Sequence, residues 1–161
     1  MIRCMQMAFP CSRNQAGVGL IEVLVAVLIL SIGFLGIAAL QARSLSMNNS
    51  AMAHSMATID SYSILDAMRA DLNNALGHAY DGTVTANACP TTKGTLAQAQ
   101  LIQWCQQLAA GLGASASTKG SISCTGSLGI CTVTVTYDDS KSKSAAADTS
   151  GTQTVTTQAM L

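Results

Sequence analysis

From Val18 to Leu40 the chain is apolar without a break except for glycines, Ser31 and a single charge, Glu22. A run with no polar face predicts a helix apolar all round, and such helices sit in a membrane or a deep core. At about 1.5 Å per residue it covers the roughly 30 Å of a bilayer's hydrocarbon layer. Beyond Leu40 the pattern turns periodic. Met52, Met56, Ile59, Tyr62, Leu65, Met68, Leu72 and Leu76 recur every three or four residues, which predicts that the same helix continues with one apolar stripe. Asn48-Asn49-Ser50 is a soft spot along it, and Gly77 is the expected stop. A helix from Val18 to Leu76 would be about 90 Å long, more than a domain of this size encloses, so its first half is expected to project.

Asp81-Gly82 then reads as a turn and Asn87 to Pro90 as a loop. Thr95 to about Leu112 predicts a second, shorter helix, with Leu101, Trp104, Cys105, Leu108 and Leu112 on one stripe and Trp104 as core anchor. After residue 113 the period drops to two. Ser121–Cys124 and Thr132–Tyr137 read as strands of a hairpin centred on Ser127-Leu128, and Thr152–Ala159 as a last strand. Val133, Val135 and Tyr137 share one face, with threonines on the other. Asp138 to Gly151 reads as a Ser/Ala/Lys/Asp-rich loop. The expected fold class is α+β: a long N-terminal helix packed on a small antiparallel sheet of three strands with one buried face, plus a second short helix.

Composition adds compartment and topology. Charged residues are 10% and aromatics 4%, and one run alone is long enough to span a bilayer. Arg3 and Arg13 precede that run and Arg43 follows it, so the positive-inside bias puts residues 1–17 in the cytoplasm and the bulk of the chain outside. A secretory signal cleaved after the run, near Gly33 to Ala39, is the minor alternative. Without the two leader arginines, six basic residues face eight acidic ones, and only Lys141 and Lys143 cluster. No nucleic-acid footprint follows from that balance. Cys4 and Cys11 lie in the leader. Cys89, Cys105, Cys124 and Cys131 remain, an even number in an oxidising compartment, which reads as disulfides. Four cysteines allow three pairings. Cys124–Cys131 across the hairpin is favoured, which leaves Cys89–Cys105 to tie a loop to the second helix. Zinc is the competing reading, but there is no C-x-x-C, and His54 and His78 are distant in sequence.

Chemistry offers little else. The chain has no G-x-S-x-G, H-E-x-x-H or Walker loop, so neither enzyme activity nor a cofactor is expected. Asp138-Asp139 as calcium ligands is a weak reading, and no metal site is assigned. Glu22 stands out. A carboxylate inside a spanning segment costs about 2.5–3.5 kcal/mol on the lenient insertion scale, although the first turn of a helix is its most favourable place.

Gly17 followed by Val18-Gly19-Leu20-Ile21-Glu22-Val23-Leu24 resembles the class III signal of type IV pilins and pseudopilins. That resemblance implies a leader, residues 1–17, cut after Gly17 by a prepilin peptidase, which then methylates the amino group of Val18. Val18 departs from the usual Phe or Met. The resemblance also divides the chain into a membrane and assembly half of the helix, 18–40, its globular half, 41–77, and a C-terminal α+β pilin domain, 78–161. Leu65-Asp66-Ala67-Met68-Arg69-Ala70-Asp71, Gly77 and Tyr80 look like the segment after the span in PilV-type minor pilins, and Leu101, Trp104 and Leu108 are similar to that family's second helix. Asp71 stands where Asn is frequent, and Leu112-Gly113 lacks a frequent Pro.

By that likeness the chain is a minor pilin of a type IV pilus that primes filament assembly in a minor-pilin tip complex. Glu22 would then meet a neighbouring subunit's amino terminus in an apolar core, which relieves both charges. The implied partners are other minor pilins, the major pilin, the prepilin peptidase and, before assembly, the inner membrane, with the C-terminal domain in the periplasm. Alternatives are a minor pseudopilin of a type II secretion system and a membrane-anchored adhesive or DNA-uptake domain.

Overall fold

A computed structural model describes residues 17, 19–125, 129–140 and 151–161. The chain falls into two compact units that meet in sequence between Leu40 and Gln41. Helix α1, Leu20–Ala70, runs through both. It is followed by α2, Leu72–Leu76; β1, Gly82–Thr85; α3, Leu96–Leu112; β2, Lys119–Thr125; β3, Ile130–Asp138; and β4, Thr152–Met160. The strands form one antiparallel sheet in the order β1-β2-β3-β4. The class is the expected α+β, a long N-terminal helix packed on an antiparallel sheet with a short second helix.

In the first unit, Leu20 opens the helix, and the N–H groups of Glu22 and Val23 both donate to the carbonyl of Gly19, at 3.0 and 3.3 Å. Every large apolar side chain from Leu20 to Leu40 is exposed, and the segment is long and apolar enough to cross a membrane. Ser31 removes its own polarity by donating to the Val27 carbonyl at 2.7 Å.

The second unit holds the core. Tyr137, Val135, Val133 and Cys131 alternate inward along β3, while the threonines between them face the other way. On the inner face the sheet meets Ile64, Leu65 and Met68 of α1 and Trp104, Cys105 and Leu108 of α3. Trp104 is 2% exposed and donates its indole N–H to the Asp60 carbonyl at 2.9 Å, joining the two helices. Its ring lies directly over Gly120 of β2, where a Cβ would come within 2.4 Å of it. That close approach is what the glycine permits. Thr95 caps α3, its hydroxyl accepting from the Gln98 N–H at 3.2 Å, and Gln98 accepts from the Gly94 N–H at 2.9 Å. The two bonds satisfy donors in the manner of a capping box.

Three expectations need correction. The long helix does not reach Leu76: it breaks at Asp71, and α2 restarts at Leu72. Asp71 is held out of the helix by its own side chain, which accepts from Asn74 at 2.7 Å and from the Tyr80 hydroxyl at 3.0 Å. Burial, then the hydrogen bond and charge of Asp71, push that hydroxyl well above its ordinary pKa. Past Gly77 the stop is made by His78, whose φ of 62° is left-handed. The His78 N–H bonds to Ala75 and the Ala79 N–H to Asn74, a Schellman closure with histidine in the usual glycine place.

Second, the apolar stripe is rotated. Met52, Ile59, Tyr62, Leu72 and Leu76 are exposed, whereas Ala57 and Ser61 are fully buried beside Ile64, Leu65 and Met68. Close helix–sheet packing selects small side chains, and Ser61 is made tolerable by donating to the Ala57 carbonyl at 2.8 Å. Third, the sheet has four strands. The segment after the expected Asp81-Gly82 turn is β1, paired Gly82↔Ile122 to Thr85↔Lys119. Asp138, assigned to a loop, ends β3 opposite Thr152. The hairpin centre Ser127-Leu128, the leader up to Ala16, Val18 and the Lys141/Lys143 pair lie outside the described residues.

Candidate functional site

The candidate site is the start of α1. Gly17 and Gly19 flank Val18 with open space where a Cβ would stand, apart from one ordinary contact to Ile21 at Gly19. Glycines just before a helix leave a protease unhindered backbone on either side of the expected cut. Glu22 sits in the first turn, exposed and with no hydrogen-bonding side chain among the described residues. Its carboxylate lies at the favourable end of the helix dipole, where free N–H groups point outward. Around it Leu20, Ile21, Val23 and Leu24 present only hydrocarbon. An acid so placed suits a cation that arrives with its own apolar surroundings.

The four cysteines of the second unit form two disulfides, Cys89–Cys105 and Cys124–Cys131. The first ties the segment after β1 to the middle of α3. The second joins directly opposed residues of β2 and β3, with Cα atoms 4.0 Å apart. Beside it Asp81 continues the sheet edge: one carboxylate oxygen accepts from the Cys124 N–H at 3.1 Å, the other pairs with His78 at 2.7 Å. These groups lock the fold.

No second chemical centre emerges. Among the described residues no cluster of three His, Cys, Asp or Glu side chains is placed to hold a metal. Asp139 accepts from the Ser50 hydroxyl at 2.5 Å, linking the end of β3 to α1. Next to that contact a cleft of about 470 Å³ is lined by Met47, His54, Tyr137 and Gln153. The Tyr137 hydroxyl there is pushed up, chiefly by burial and then by Asp139. What the sequence reading missed lies on the outer face of the sheet. It noted threonines opposite Val133 and Val135, but their alignment from strand to strand depends on register, which one strand's pattern does not reveal.

Residues 12–38 match the family model of the prokaryotic N-terminal methylation motif. No curated protein and no solved structure matches the chain. The matched segment brackets Gly17, Val18 and Glu22. A pilin-like α+β fold here carries at its N-terminus the methylation motif typical of type IV pilins and pseudopilins.

Proposed function

We propose that this chain is a minor pilin of a type IV pilus, of the PilV kind. Prepilin peptidase cuts after Gly17 and methylates Val18. The product waits in the inner membrane with its C-terminal domain in the periplasm, then enters the filament with other minor pilins and the major pilin, priming assembly from the tip. The observation that carries this reading is the methylation motif over residues 12–38, with Glu22 as the one charge in the apolar segment 20–40, whose large side chains no other described residue covers. An ion pair between Glu22 and a neighbour's new amino terminus gives each a partner in an apolar core, where one charge left alone would cost about 3–5 kcal/mol.

The test has two parts. Mass spectrometry of the exported chain should find a methylated Val18 start; an intact Met1, or trimming beyond Leu40, would defeat the proposal. Deleting the gene should abolish twitching and surface filaments. Loss of protein secretion with normal twitching would instead assign the chain to a type II secretion pseudopilus.

A further inference from the structure

The apolar run begins at Val18, but helix α1 begins only at Leu20. Gly19 stands outside the helix, and its carbonyl accepts from the N–H groups of both Glu22 and Val23, at 3.0 and 3.3 Å. That is the position of an N-cap, whose carbonyl already serves the helix while the residue itself does not belong to it. Counted from there, Glu22 is the third helical residue. Gly19-Leu20-Ile21-Glu22 therefore has the spacing of a capping box, with glycine where serine or threonine usually stands.

Two ordinary reasons for a glycine do not hold here. No close approach requires it, because a Cβ at residue 19 would meet only the Ile21 Cγ2, at an ordinary 3.9 Å. Nor is its φ left-handed. What separates glycine from the apolar residues after it is its reluctance to be helical. At the edge of the hydrocarbon layer a backbone satisfies its polar groups most readily by continuing a helix. A better helix former at 19 would let α1 grow toward Gly17, where added side-chain bulk would meet nothing within 4 Å. A peptide bond inside a helix is poorly presented to a protease, since its N–H and carbonyl are tied to neighbouring turns.

We infer that Gly19 is a positioning residue for leader removal: it starts α1 two residues beyond the bond between Gly17 and Val18 and so keeps that bond out of the helix. This role rests on the processing reading above and adds to it a residue besides Gly17, Val18 and Glu22. Hydrolysis breaks the bond from the Gly17 carbonyl carbon to the Val18 nitrogen. Water gives its hydroxyl to the carbon and its remaining proton to the nitrogen. Gly19 supplies neither group and acts only through where the helix begins.

The test is the initial rate of leader removal from the full chain in inner-membrane vesicles supplied with a prepilin peptidase. Mass spectrometry reads the product as chain beginning at Val18. Gly19→Ala should slow removal about fivefold, the rate equivalent of the roughly 1 kcal/mol by which alanine favours a helix over glycine. Gly19→Ser and Gly19→Asn should stay within about twofold of the wild type, because both residues cap helices and serine completes the box with Glu22. Serine is close to alanine in size and asparagine is larger, so the order of rates separates helix start from bulk. Serine and asparagine variants as slow as the alanine variant would overturn the inference, by showing that the peptidase senses side-chain volume. An alanine variant cut at the wild-type rate would overturn it too. A wild-type chain left uncut at Gly17 would defeat the processing reading itself, and this role with it.

Discussion

Helix α1 belongs to two different regimes along its length. In residues 20–40 the large apolar side chains are 49–86% exposed, and the segment makes no core of its own. In residues 57–68 the same helix buries Ala57, Ser61, Ile64, Leu65 and Met68 to 1% exposure or less. Leaving a large apolar side chain in water rather than burying it forgoes about 1.5–3 kcal/mol, so these fourteen residues together cannot remain solvated. The difference teaches that the first region, long and apolar enough to cross a membrane, finds no cover among the described residues, while the second is completed by its own sheet, α3 and two disulfides. Changes in the first should therefore alter assembly and leave folding alone, and changes in the second should do the reverse.

The sharpest break in that division is Glu22→Ala. Filament incorporation, read from sheared surface fractions, should fall to background, while membrane insertion and the thermal unfolding of the second unit stay as in the wild type. Incorporation at wild-type level would remove the assembly role of Glu22 altogether.

Next in size is the Trp104–Gly120 contact. Trp104→Ala should cost about 3–5 kcal/mol by leaving a cavity between α1, α3 and β2. Gly120→Ala should cost about 3 kcal/mol by the opposite fault, because the new methyl meets the indole at 2.4 Å in a place where backbone and ring are both held. Denaturant unfolding of each variant measures the loss. The pair should be less than additive, since removing the indole makes room for the methyl.

These examples also mark how far the sequence could be read. The spanning run, the Gly17 to Leu24 signal, the second helix and the inward side of β3 were legible because each is one-dimensional, a composition or a period within one segment. Gly120 was not, because its role is to be absent beneath Trp104, and the two meet only through register. β1 was missed because four residues are too few for alternation to show. Asp71 broke the helix through Tyr80 and Asn74, partners that no periodicity announces. The stripe was misplaced for a related reason: a search for large apolar residues passes over Ala57 and Ser61, although close packing puts small residues at the centre. Glu22 reads well in sequence as an anomaly, but the partner proposed for it lies on another chain, which no single sequence contains.

The disulfides give a smaller effect of the same kind. Replacing Cys89 and Cys105 by serine frees a loop of separation 16, which costs about 3 kcal/mol in the chain-entropy account. The same change at Cys124 and Cys131, separation 7, should cost about 2.4 kcal/mol, because the shorter loop removes less entropy from the unfolded chain. Unfolding midpoints with and without reductant would order the two. Membrane insertion should be unaffected by either.

The smallest predicted effect concerns the one buried polar atom left without a partner among the described residues, Oδ2 of Asp60. It lies at the end of α3, where a Cβ on Gly111 would stand 3.8 Å away. No charged side chain occurs in α3, and the C-terminal end of that helix is the negative end of its dipole. Burial raises the pKa of Asp60 above its ordinary 3.8. A carboxyl whose folded value is raised favours the protonated folded state. Its contribution is therefore fully present below pH 3.8 and is lost as pH rises through the folded value. Asp60→Asn holds the neutral state at every pH and can donate to the α3 carbonyls. It should stabilise the second unit by about 1 kcal/mol at pH 7, with the advantage shrinking toward pH 4. Unfolding at the two pH values measures both. An asparagine variant less stable at pH 7 would mean that the acid meets a cation beyond the described residues, and the burial account of Asp60 would fail.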